Sequence, residues 1–153
     1  MIRSLSARLE STPFAVRETR RFVRDILRVW DAEILAETAE LLAGELVTNA
    51  VLYAGTPIDV HLAWSNGDAP RLRVKVCDGN DTMPQIVEPP RPAGHGGYGM
   101  RLLERFSTDW GVEPCDHGGK CVWFEVGRTT DWQVLGDLDE GLRRERPQDE
   151  LAG

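Results

Sequence analysis

Glu45-Leu46-Val47-Thr48-Asn49-Ala50-Val51 lies late in a long segment whose apolar residues recur close to helical spacing. Ile34, Leu35, Leu42, Leu46, Ala50 and Tyr53 mark that period, so the segment is expected to be a helix with one face in a core. Glu45 and Asn49 stand four residues apart, which stacks their side chains on the same side of the helix. A carboxamide oxygen can ligate a hard cation such as Mg²⁺, and a neighbouring carboxylate can orient or deprotonate a nucleophile. The pair alone reads more simply as a solvated helix face. The order of the features around it decides otherwise.

Working outward, the helix is predicted from about Ala32 to Ala54 and stopped by Gly55-Thr56-Pro57, a glycine followed by a proline. Gly44 sits inside it, where glycine costs roughly 1 kcal/mol against alanine. Close approach of a strand or a ligand is the expected reason. Upstream, Ser11-Thr12-Pro13 reads as a hydroxyl cap with proline at the first helical position. Ala15, Thr19, Phe22, Val23, Ile26, Leu27 and Trp30 then trace an apolar stripe. Arg17, Arg20, Arg21, Arg24 and Arg28 lie largely on the other side, as a solvated face or, less simply, a surface for a partner.

Downstream, Ile58, Val60, Leu62 and Trp64 alternate with Asp59, His61 and Ala63, the pattern of a strand with one buried face and a solvent-facing His61. Asn66-Gly67 supplies a tight hairpin turn. Leu72, Val74 and Val76 continue as a second strand ending at Asp78-Gly79. Pro84, Pro89, Pro90, Pro92, Gly94, Gly96, Gly97 and Gly99 compose a loop with no regular element, free to be mobile. A short amphipathic helix begins at Met100. Two strands around Trp110-Gly111-Val112 and 120–126 close the pattern through Asp116-His117-Gly118-Gly119. Beyond Gly127 the periodicity dissolves, leaving an acidic, arginine-rich tail with a short helix around Trp132 to Arg144.

The 153 residues suit one compact domain. The expected boundaries are an N-terminal extension over 1–12, a folded domain over 13–127 and a partly disordered tail over 128–153. A net charge of −7 without a basic block argues against a nucleic-acid backbone partner. No stretch is long and apolar enough for a secretory signal or a membrane span. The three cysteines, Cys77, Cys115 and Cys121, form no C-x-x-C pair. Cys115 and Cys121 could face each other across a hairpin, but free thiols in a reducing cytoplasm are the better expectation.

Each motif has a physical reading for a nucleotide. A carboxylate at a strand end can accept a hydrogen bond from an adenine amino group, and Gly79 lets a ring lie close to the backbone. Backbone N–H groups from Gly94 to Met100, leading into a helix N-terminus, offer donors and positive potential to phosphates. No G-x-x-x-x-G-K-[ST] occurs, so this is not a P-loop protein.

With these residues in place, the chain resembles the small ATP-binding proteins of the histidine-kinase-like (GHKL, Bergerat-fold) superfamily, and more narrowly the anti-sigma-factor serine/threonine kinases. The resemblance covers about 13–126. Residues 45–51 match the family's N box, and Val76-Cys77-Asp78 lies where its adenine aspartate stands. Gly97-Tyr98-Gly99-Met100-Arg101-Leu102-Leu103 looks like the lid-and-helix glycine box. Gly119-Lys120-Cys121-Val122-Trp123-Phe124 resembles the closing G-K-T-V-W strand, with cysteine where threonine is common. The superfamily's D-x-G-x-G is not kept after Asp78, where Gly79-Asn80-Asp81-Thr82 follows.

The resemblance implies a two-layer α+β sandwich with a mixed, mostly antiparallel sheet and helices on one face. It implies Glu45 as catalytic base or water-orienting group and Asn49 as Mg²⁺ ligand. Asp78 would hold adenine, and Gly97 and Gly99 would line a phosphate lid. Gly79, Gly94, Gly96, Met100 and Lys120 complete the implied nucleotide-binding set. The implied activity is phosphorylation of a small anti-anti-sigma (STAS-type) protein by a factor that also binds a sigma factor, with ATP and Mg²⁺ as cofactors and a homodimer left open. The alternative is a module that binds ATP, or nothing, and acts by docking alone. A detached sensor-kinase ATPase domain is a third reading.

Overall fold

Ile58, Val60, Leu62 and Trp64 are all buried, and the residues between them are half-exposed, so the alternation in the sequence becomes one inward face of a strand. The computed structural model describes residues 2–65, 69–80, 98–115 and 118–127. In chain order the elements are β1 (Ile2–Leu9), α1 (Phe14–Val29), a 3₁₀ turn (Glu33–Leu35) and α2 (Ala36–Tyr53). Then come β2 (Ile58–Ser65), β3 (Arg71–Asp78), α3 (Tyr98–Phe106), β4 (Asp109–Pro114) and β5 (Lys120–Gly127).

The strands form one sheet in the order β1-β2-β3-β5-β4. Every described pairing is antiparallel, so the expected mixture of strand directions is not what the chain adopts. The reason is the last hairpin, which returns β5 between β3 and β4. Leu72, Val74 and Val76 of β3 join Val122, Phe124 and Val126 of β5 on the face that meets the helices. Val23 and Leu27 of α1, Leu42, Leu46 and Val47 of α2, and Leu103 of α3 complete that core. Fully burying each such side chain is worth about 1.5–3 kcal/mol, which is what holds the two layers together.

The other face of the sheet carries a polar ladder. Arg73 donates to Glu125 Oε1 at 3.0 Å and lies 4.3 Å over the Trp123 ring. Lys75 Nζ stands 3.2 Å from Glu113 Oε1, and Arg8 Nε 3.6 Å from Asp59 Oδ1. Trp123 lies so close across Gly111 that a Cβ there would meet the indole at 2.8 Å. His61 is not simply solvent-facing, because its Nδ1 is 2.5 Å from Ser6 Oγ on β1.

Several expectations change. The segment ahead of Ser11, set aside as an extension, is the edge strand β1, paired with β2 from Ile2↔Ser65 to Leu9↔Ile58. Leu5, Ala7 and Leu9 alternate with Ser4, Ser6 and Arg8, a short period-two signal that does mark a strand. Helix α1 starts near the predicted place but makes no side-chain cap hydrogen bond at Pro13; Ala15 N donates instead to the Thr12 carbonyl at 3.0 Å. The stop of α2 is as read, with Gly55 at φ 65.

The cysteines depart most. Instead of free thiols, Cys77 and Cys121 are joined by a disulfide. They stand directly opposite in the β3–β5 register, across a separation of 44 residues that no local spacing reveals. The expected Asn66-Gly67 turn, the loop from Pro84 to Gly97, His117 and everything beyond Gly127 lie outside the described residues. Among the described residues, no helix is long and apolar enough to cross a membrane.

Candidate functional site

Helix α2 packs against α1, α3 and β3. A Cβ on Gly44 would lie 2.5 Å from Arg20 Nε, so the glycine admits a guanidinium from α1, neither a strand nor a ligand. Glu45 is only 6% exposed, and its Oε2 has no hydrogen-bond partner among the described residues. Burial pushes its carboxyl above the usual range, and the charge of Arg20 pulls it partly back. Thr48 turns its hydroxyl to the Gly44 carbonyl at 2.8 Å, which leaves Glu45 and Asn49 to carry the polar character of this face. Asn49 is half-buried one turn further on.

Two arginines of the supposed solvated face therefore belong to the seam between α1 and α2. Arg20 abuts Gly44. Arg24 donates to Glu40 Oε1 through Nε at 2.9 Å and Nη2 at 2.6 Å.

Strand β3 supplies the second half of the site. Alternation places Asp78 on the helix side with Val74 and Val76, and puts its neighbour Cys77 on the open face. Asp78 pairs in register with Lys120 of β5, whose Nζ donates to Asp78 Oδ1 at 3.1 Å and to the Asn80 carbonyl at 3.1 Å. Asn80 N–H also donates to Asp78 Oδ1, at 2.8 Å. Both described contacts of the carboxylate fall on Oδ1, so Oδ2 remains as an acceptor.

The backbone around Asp78 is crowded on purpose. A Cβ on Gly119 would fall 2.0 Å from the Asp78 carbonyl oxygen, and Gly119 has φ 87, so the closing hairpin reaches this bend only through a glycine. Gly79 N–H donates to Thr56 Oγ1 at 2.7 Å, and Asn80 Nδ2 donates to the Tyr53 carbonyl at 3.0 Å. Tyr53 ends α2. Glu45, Asn49 and Tyr53 follow one another at four-residue spacing, about 6 Å of helix axis per step. The Asp78 bend is thus tied to the same helix that carries Glu45 and Asn49.

The structure brings together Asp78, Gly79 and Lys120, and ties them to the helix of Glu45 and Asn49. Gly99 and Met100 fall in the first turn of α3, without described side chains. Gly94, Gly96 and Gly97 lie outside the described residues. Sequence reasoning missed Arg20, Thr56 and the Tyr53 carbonyl. Thr56 reads as punctuation in Gly55-Thr56-Pro57, and a backbone carbonyl leaves no residue-type signal at all.

The chain matches the family described as the histidine kinase-like ATPase domain over residues 9–126, most of its length. It belongs to that family. Membership implies ATP binding. Among solved structures, the histidine kinase domain of the blue-light activated histidine kinase of Erythrobacter litoralis is similar at 20% identity, with a TM-score of 0.49. The match covers 80% of this chain and 63% of that one, so the chain spans less than two thirds of that domain's length. Comparison with curated proteins finds no match.

The described residues suit the family's ligand. Glu45 keeps a buried oxygen without a partner beside a helical amide, Asp78 offers a fixed carboxylate, and a bare Gly119 lets the backbone close against it.

Proposed function

We propose that the protein is a regulatory serine/threonine kinase of the anti-sigma type, which binds ATP with Mg²⁺ and phosphorylates a small STAS-type antagonist. The observation that carries this reading is Glu45. A carboxylate buried to 6% exposure, with an unpartnered oxygen and a raised pKa, is costly to keep unless it does chemistry.

In this reading Asn49 Oδ1 is the metal ligand, Asp78 Oδ2 accepts from the adenine amino group, and Lys120 holds Asp78 in place. Bound Mg²⁺ supplies charge neutralisation for the transferring phosphoryl group. Glu45 takes the proton of the attacking serine hydroxyl, a role that a carboxyl raised towards neutral pH performs better than one at its ordinary value. Arg20, against Gly44, keeps that rise in check. Sigma-factor binding and the identity of the antagonist belong to this proposal as well.

The test is calorimetry followed by phosphate transfer. Asn49→Ala removes the Mg²⁺ dependence of ATP binding, and Asp78→Ala weakens ATP. Glu45→Gln keeps ATP binding while transfer from radiolabelled ATP to an antagonist serine falls by about 10²–10⁴-fold, the usual worth of a positioned base. Equal transfer by wild type and Glu45→Gln would acquit Glu45. ATP binding without any transfer by the wild type would leave a docking module.

A further inference from the structure

All three cysteines of the chain converge on one spot of the open sheet face, away from Glu45 and Asn49. They arrive from three separate segments. Cys77 comes from β3, Cys121 from β5 directly opposite it, and Cys115 from the turn after β4. The hairpin sets Cys115 diagonally across from Cys121, with Cys115 N–H donating to the Gly119 carbonyl and the two sulfurs 2.8 Å apart. The three sulfurs all lie within 4.8 Å of one another. Tetrahedral Zn²⁺, with Zn–S near 2.3 Å, needs sulfurs separated by about 3.8 Å, so small side-chain adjustments suffice.

Glu113 stands opposite Cys121 in the β4–β5 register, on the same face, outside the cluster of sulfurs. Lys75, two residues before Cys77, lies 3.2 Å from the Glu113 carboxylate and is paired with it. Cys77 and Cys121 are largely buried and Cys115 half-buried, so an ion would enter from the Cys115 side.

We propose that the reduced chain carries a three-thiolate site for Zn²⁺, formed by Cys77, Cys115 and Cys121 with water in the fourth position. The disulfide between Cys77 and Cys121 is the oxidised form of the same site. A phosphine or dithiol reductant delivers two electrons to that bond and is itself oxidised, giving two thiols. Three thiols then lose three protons to solvent as three Zn–S bonds form. Sulfur ligands select Zn²⁺ over hard cations such as Mg²⁺, so this site and the proposed nucleotide site do not compete. Cys77 and Cys121 immediately precede Asp78 and follow Lys120. The ion would therefore pin the two strands from the reverse face, at the point where that ion pair forms.

The experiment is a Co²⁺ titration of the full chain, kept reduced with a phosphine under anaerobic conditions and without nucleotide. Expected is one Co²⁺ per chain, with near-ultraviolet thiolate-to-cobalt absorption and the intense visible bands of a tetrahedral site, both displaced by Zn²⁺. Cys115→Ala leaves the Cys77–Cys121 pair and hence the sheet in place, yet weakens Co²⁺ by at least about tenfold, since even outer-shell partners of a metal are worth that much. Oxidation to the disulfide before the titration removes the absorption. No thiolate absorption from the reduced wild type, or the same affinity in Cys115→Ala, would overturn the site, whatever ATP does.

Discussion

Burial of the Glu45 carboxylate carries an electrostatic cost. Burial raises its pKa in the folded state above the unfolded value, with Arg20 opposing. The folded chain therefore takes up a proton before the unfolded chain does as pH falls. Stability gains through that window, and the penalty is fullest at pH values above the folded pKa. Glu45→Gln keeps the size and has no charge to desolvate. We predict that the variant is more thermally stable than wild type near about pH 8, and that its advantage shrinks as pH approaches the ordinary carboxylate range of about 4.3. Melting curves of both proteins across that range decide it. A difference that does not change with pH would mean that Glu45 is solvated in the fold. Loss of the proposed phosphate transfer together with gained stability would be the signature of a group kept for function.

At the scale of the element, the end of α1 shows how a helix is stopped without glycine. Ala32 N–H donates to the Leu27 carbonyl at 2.8 Å and Asp31 N–H to the Arg28 carbonyl at 3.2 Å, the two bonds of a Schellman motif. The residue in the left-handed conformation is Asp31, at φ 58, where glycine is the usual choice. An acidic side chain also sits at the negative end of the helix dipole. Asp31→Gly is expected to stabilise the protein by roughly 0.5–1 kcal/mol, the relief of a left-handed side chain less the entropy that glycine adds to the unfolded chain. Asp31→Val should destabilise it, because a β-branched residue tolerates positive φ poorly. Urea titrations of the three proteins give the order, and a Gly variant weaker than wild type would show that Asp31 has a tertiary role.

For the whole molecule, strand β1 matters more than its sequence suggests. It lies almost wholly ahead of the family match, which begins at residue 9, yet it covers the edge of β2 along its full length. Removing residues 1–9 would expose the N–H and C=O groups of β2, which alternates buried Ile58, Val60, Leu62 and Trp64 with half-exposed residues. Such an edge is a template for pairing with another chain. The truncated protein is expected to melt several degrees lower, at roughly 2–4 °C per kcal/mol lost, and to self-associate. Light scattering and calorimetry test both. A truncation that stays monodisperse with an unchanged Tm would make β1 dispensable.

What the sequence by itself determined are the features set by neighbours in the chain. The 3.6-residue and two-residue periods placed α1, α2, β2, β3 and β5, because a face that must be buried repeats along its own element. Gly55 marked its stop, Asp78 its strand end, and Glu45 with Asn49 their shared helix side, each through local conformation alone. Only the tertiary structure decided which of these meet. Lys120 holds Asp78, Arg20 fills the space over Gly44, Thr56 braces Gly79, and Cys77 faces Cys121. Those contacts depend on the order of strands in the sheet and on how two helices lie across it. Residues tens of positions apart are set opposite by that order, and no pattern within a single element encodes it.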